Sequence, residues 1–153
     1  MTVLEVGINL GTKNLVDIKY YSSSDKILNP NIRARFLTGL KDFITDVFDD
    51  KINVISLTDF EIICYYKTVQ IPSKVDNKPQ PLLSFAIIER GTNHSFVKRH
   101  LKEIISQFLN DYALKDIFSK KPKYFKKFIP RIDEILGDLR LKIEDRIRTI
   151  FKD

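Results

Sequence analysis

The sequence predicts an α+β domain: a five-stranded antiparallel sheet with flanking helices, in the order β-β-α-β-β-β-α plus a C-terminal helix. Three observations lead there. Several short runs alternate apolar and polar residues or are rich in β-branched and aromatic side chains, which is strand patterning. Three long segments instead carry apolar residues at spacings of three and four, which is helix patterning. Clusters of Gly, Asn, Ser and Pro separate them, so neighbouring strands are joined by short connections and pair as hairpins.

Leu4, Val6, Ile8 and Leu10 alternate with Glu5, Gly7 and Asn9, giving a first strand with one buried face. Gly11-Thr12-Lys13-Asn14 supplies a turn. Val16, Ile18 and Tyr20 then alternate with Asp17 and Lys19, so the second strand completes a hairpin. Asn29-Pro30 opens a helix, with Asn as cap and Pro in the first turn. Ile32, Phe36, Leu40, Phe43, Ile44, Val47 and Phe48 form its apolar face, and it ends near Asp49-Asp50. Residues 52–57 and 60–69 read as strands, and the proline-containing stretch 72–81 reads as a loop. Residues 82–89 are apolar on both faces, which marks a central strand covered on two sides. After the break at Gly91-Thr92-Asn93, a helix is predicted over 95–113, with Phe96, Val97, Leu101, Ile104, Ile105, Phe108, Leu109 and Tyr112 in its stripe. Residues 115–130 read as a lysine-rich linker whose aromatics pin it to the core. A last helix is predicted over 130–151 on Ile132, Ile135, Leu136, Leu139, Ile143, Ile147 and Ile150.

The 153 residues suit one core, divided as 1–113 and a segment 114–153 packed on the same domain. The single cysteine, Cys64, cannot form an intramolecular disulfide and reads as a small buried hydrophobe. No run approaches the ~20 apolar residues of a membrane span, and no leader pattern is visible, so a cytoplasmic location, with peripheral membrane association, is expected. Net charge is +6, and its placement is uneven: residues 1–97 balance 11 basic against 11 acidic side chains, whereas residues 98–153 carry 15 against 9.

No catalytic, cofactor-binding or metal-binding residues are assigned. Phosphate-cradling glycine motifs are missing. His94 and His100 lie roughly 240° apart around a helix, on different faces. No Ser sits in a nucleophile elbow. Acidic doublets such as Asp133-Glu134 read as solvated helix surface, and Asn93-His94-Ser95 reads as an accidental glycosylation match. The chain is accordingly expected not to be an enzyme.

The hairpin VLEVGINL-GTKN-LVDIKYY, the helix NPNIRARFLTGLKDFITDVF, the run INVISLTDFEIICYYKTV and the passage LLSFAIIERGTNHSFVKRHLKEIISQFL together resemble the longin, or SNARE-like, domain superfamily over about residues 3–113. The superfamily includes adaptor small subunits and vesicle-traffic longin domains. The resemblance implies a scaffold that binds a small GTPase or another longin-like subunit, as homo- or heterodimer, in vesicle-mediated transport. It places the third strand at a sheet edge beside the first helix. The partner-binding candidates are therefore Ile52, Val54, Ile55 and Leu57, with Arg33 and Arg35.

The basic segment supplies a second candidate. Lys120, Lys121, Lys123, Lys126 and Lys127, interleaved with Tyr124, Phe125 and Phe128, suit an anionic membrane surface. The alternative is a nucleic-acid-binding module using the same lysines; it fits less well because residues 1–97 are charge-balanced and no RNA-binding aromatic motif occurs.

Overall fold

The computed structural model describes residues 3–20, 34, 38–39, 54–57, 60–71 and 79–140. Its strands are β1 (Val3–Leu10), β2 (Lys13–Lys19), β3 (Val54–Leu57), β4 (Phe60–Val69) and β5 (Gln80–Glu89). Its helices are α1 (His94–Asp111), α2 (Leu114–Ser119) and α3 (Ile129–Leu136), with 3₁₀ segments at Pro122–Phe128 and Gly137–Arg140. All strand pairs are antiparallel, in the order β2-β1-β5-β4-β3.

This corrects the expected architecture in two respects. Four strands of seven to ten residues carry the sheet, and β3 is only a four-residue strip at its edge. The expected C-terminal helix over 130–151 is also interrupted. Gly137 takes φ 53° and ψ −128°, a non-helical conformation that only a residue without Cβ enters freely, and α3 stops there. The supposed linker 115–130 is not irregular either: it forms α2, the first 3₁₀ segment and the start of α3. Residues 141–153, with Ile143, Ile147 and Ile150, lie outside the described residues. So does the predicted helix over 30–48, apart from Ala34, Thr38 and Gly39, which are helical.

Turn and strand limits shift as well. The turn between β1 and β2 is Gly11-Thr12 alone, with Gly11 at φ 57°, and pairing resumes at Leu10 opposite Lys13. A bulge near Ile8 and Asn9 absorbs Leu15, so Leu15 and Val16 are both buried. β1 was expected to bury one face, yet all eight of its residues are buried, Glu5 and Asn9 included. The reason is position: β1 and β5 are interior strands, and both faces of the sheet are covered along them. On β5, Leu82 to Ile88 are all buried, as continuous apolar patterning requires. β5 starts at Gln80 rather than Leu82, and the Pro81 carbonyl accepts from Gly11 N at 2.8 Å.

One face of the sheet packs against the helical layer. Val6, Ile8, Leu82, Ala86, Ile88 and Ile63 meet Val97, Leu101, Ile104, Ile105 and Phe108 of α1. The same cluster continues without a break into Ile117, Phe125, Phe128, Ile132 and Leu136, so residues 114–140 share the core of the sheet. α1 begins where the Asn93 side chain accepts from Phe96 N at 2.9 Å, which makes this asparagine a helix cap. Inside the core, Ser84 Oγ donates to Leu101 O at 3.0 Å, which satisfies the hydroxyl and ties β5 to α1. At the far edge, Tyr20 Oη donates to Asp133 Oδ1 at 2.6 Å, and Arg140 lies 3.8 Å from the same oxygen. Burial first, then the bond to Asp133, pushes the Tyr20 phenol above its usual range.

Candidate anionic-surface site

The basic run is displayed by a repeat of three. In a 3₁₀ helix, side chains three apart stand above one another. Phe125 and Phe128 therefore point the same way, and both are buried, against Phe108 at 5.4 and 5.1 Å between ring centroids. With those two facing in, Lys123, Tyr124, Lys126 and Lys127 face solvent. Lys120 and Lys121 are exposed just before, where Lys121 is held extended by the following Pro122. All five predicted lysines thus stand on one short, core-anchored segment. Residues 120–131 carry these five lysines and Arg131, with no acidic residue among them.

Tyr124, 37% exposed, is the aromatic of this surface. Lys127 Nζ lies 4.6 Å from its ring centroid and 5.5 Å from that of Tyr112, and Lys120 Nζ lies 5.4 Å from Tyr124. Such cation–π contacts hold each ammonium near a ring without neutralising it. Lys13, the first residue of β2, donates to Lys120 O at 3.1 Å and adds a sixth lysine to the surface. Sequence reasoning missed Lys13, because nothing local links it to residues 107 positions away; only the packing of the 3₁₀ segment on β2 brings it there.

Beside this platform lies an open cleft of about 400 Å³, between the end of α1 and the start of α3. Tyr112 and Phe128 form its apolar wall, and Asp111, Lys127, Arg131 and Glu134 supply charges of both signs. Arg131 and Glu134 stand 3.8 Å apart on α3. Burial, then the carboxylate of Asp111, keeps the Tyr112 phenol above its usual range, so it remains a neutral donor.

The protein-partner candidates divide. Val54, Ile55 and Leu57 lie on β3, which pairs with β4 on one side and ends the sheet on the other. Ile52, Arg33 and Arg35 lie outside the described residues. Ser56 of β3 donates through Oγ to Oε2 of Glu61 on β4 at 3.1 Å, and His94 Nε2 sits 2.9 Å from Glu61 Oε1. Burial would raise the Glu61 carboxyl, but the hydrogen bonds from His94 and Ser56 and the charge of Arg90 outweigh it and leave it lowered. The order is Ser–Glu–His. The histidine does not touch the serine, so this group lacks the base-to-nucleophile contact of a hydrolytic triad. It instead fastens the start of α1 to the sheet edge. His100 Nδ1 donates to Phe96 O at 2.7 Å, remote from His94's partner. Cys64 is buried on β4, and burial pushes its thiol up to about 12, which suppresses thiolate chemistry.

Among the described residues, no group of three or more His, Cys, Asp or Glu is placed to hold a metal ion. No helix there is long and apolar enough to cross a membrane. No protein-family model matches the sequence, and no curated protein matches it.

Proposed function

We propose that this chain is a non-enzymatic interaction and adaptor domain of longin-like character, working with small GTPases or membrane-traffic complexes and touching anionic membrane through its basic face. The observation that carries the reading is the lysine platform: Lys120, Lys121, Lys123, Lys126 and Lys127 exposed around Tyr124 on a segment anchored by buried Phe125 and Phe128. A pre-formed array of cations loses little freedom on meeting a charged surface, and each lysine there contributes about 1 kcal/mol. The half-exposed Tyr124 has the apolar body and polar tip that suit the headgroup region. Flotation with anionic vesicles tests this. Reversing Lys121, Lys123 and Lys126 to Glu should weaken binding by about a hundredfold or more, with an unchanged fold, since all three are exposed and none makes the ring contacts of Lys127. Undiminished flotation would remove the membrane part of the reading.

Support for a protein partner comes from β3, whose place at the sheet edge agrees with the place the resemblance gives the third strand. An edge strand offers backbone donors and acceptors to an added strand. Affinity capture from nuclease-treated lysate should retain a small GTPase or a second longin-like subunit, and recovery of neither would remove the partner part of the reading. Recovery of nucleic-acid-bound proteins alone, lost with nuclease, would favour the nucleic-acid module instead.

A further inference from the structure

We propose that the cleft between α1 and α3 is a binding site for a phosphate ester that carries a primary ammonium group, as in an amino-phospholipid headgroup. The inference rests on the anionic-surface reading above, and deepens it from a diffuse attraction to a stereochemical one.

Charge selects the ligand class. Lys127 and Arg131 face the cleft together with Asp111 and Glu134. A simple anion would meet two carboxylates, and a simple cation would meet an ammonium and a guanidinium. Either carries an opposed pair of like charges, which costs binding energy. A ligand bearing both signs can place its phosphate on Lys127 and Arg131 and its ammonium on Asp111 and Glu134, leaving no charge of the cleft opposed. Arginine suits a phosphate through its forked donors, and carboxylates suit an ammonium with three. The Arg131 and Glu134 groups are 3.8 Å apart, a loose contact that a ligand can open at small cost because both are exposed. Tyr112 and Phe128 give the site a fixed wall: both are buried, and their rings are 6.0 Å apart in an edge arrangement. The volume, about 400 Å³, lies toward the small end of the range for ligand pockets. Position supplies the last argument. Lys127 belongs to both the platform and the cleft, so a membrane drawn to the lysines presents its headgroups at the mouth of the cleft.

The test compares phosphatidylcholine vesicles containing equal mole fractions of phosphatidylserine or phosphatidylglycerol. Both lipids carry one net negative charge, and only the first has an ammonium. Binding should be about tenfold tighter to phosphatidylserine. Asp111→Asn with Glu134→Gln should erase that preference while phosphatidylglycerol vesicles are bound at least as well, because the variant is more basic. Equal affinity of the wild-type chain for the two vesicles, or a preference surviving in the variant, would overturn the proposal. Titration with free O-phosphoethanolamine, followed by amide chemical shifts over residues 127–134, separates the sources. Saturable shifts abolished in the variant mean that the cleft takes the soluble ester as well. A vesicle preference without such shifts supports the lipid headgroup as the ligand. If no anionic vesicle binds but the free ester does, the platform reading fails and the cleft stands; if neither binds, both fail.

Discussion

Replacing Gly7 by Ala tests how tightly the interior strands are packed. Gly7 sits on β1 opposite Phe85 of β5. A Cβ built there would run into the Phe85 ring, and would also stand 3.0 Å from Val16 O. The ring has nowhere to retreat: Phe85 is 1% exposed, and its register partner on β4, Cys64, is buried too. Two effects oppose each other. Gly7 is not in the left-handed region, so alanine alone would stabilise by about 0.4–1 kcal/mol through the unfolded chain. Overpacking a closed core costs about 1–3 kcal/mol. The clash involves a ring atom and a backbone oxygen together, so the upper half of that range applies, and the net loss should be about 1–2 kcal/mol. For a chain of this length that is a fall of roughly 2–8 °C in Tm. Urea denaturation should show a lower midpoint with an unchanged slope. Phe85→Leu, which lacks the colliding ring atoms, should make the second Gly7→Ala step less costly, a coupling of about 1 kcal/mol. A raised midpoint for Gly7→Ala would refute the packing argument, because only the unfolded-state effect would remain.

Two further predictions concern contacts that join distant parts of the chain. The lowered carboxyl of Glu61 contributes stability that is present above its ordinary value of 4.5 and is lost as pH falls through its depressed folded value. Denaturation midpoints should therefore drop on acidification below about pH 4.5, and Glu61→Gln should shallow that dependence while costing about 1–3 kcal/mol at neutral pH; an identical pH slope in the variant would contradict it. Tyr20→Phe removes the donor to Asp133 and should cost about 1–3 kcal/mol, with hydrogen exchange accelerated in α3 before α1. Equal protection of α3 in both proteins would mean that the bond does not hold this helix to the sheet.

Local patterning made much of the fold readable. Alternation located β1 and β2, the aromatic and β-branched run gave β4 its observed limits, and the doubly apolar run placed β5 inside the sheet. The stripe through Val97, Leu101, Ile104, Ile105 and Phe108 set the inward face of α1, whereas Phe96, counted in the same stripe, is 42% exposed. Each of these signals is a short-range period, and a period survives whatever the chain meets later. The lysine run was equally legible, since it is contiguous.

Other features exist only because distant residues meet. Glu5 and Asn9 looked like the wet side of β1 until the sheet order put that strand between two neighbours. The lysine segment looked like a linker, because its spacing of three between Phe125 and Phe128 is too brief to register as a helix; burial of both rings against Phe108 decided it. Gly137 was read as one residue of a continuous helix, and its backbone conformation ended that helix. Lys13 joining Lys120, Glu61 held by His94, and four charges converging on one cleft have no sequence period at all. Which segments are strands, which face of α1 is apolar and where positive charge accumulates follow from neighbours along the chain, and are therefore legible in the order of residues. Which charges share a surface and which cleft they line follows instead from contacts between residues tens of positions apart, which exist once the chain is folded.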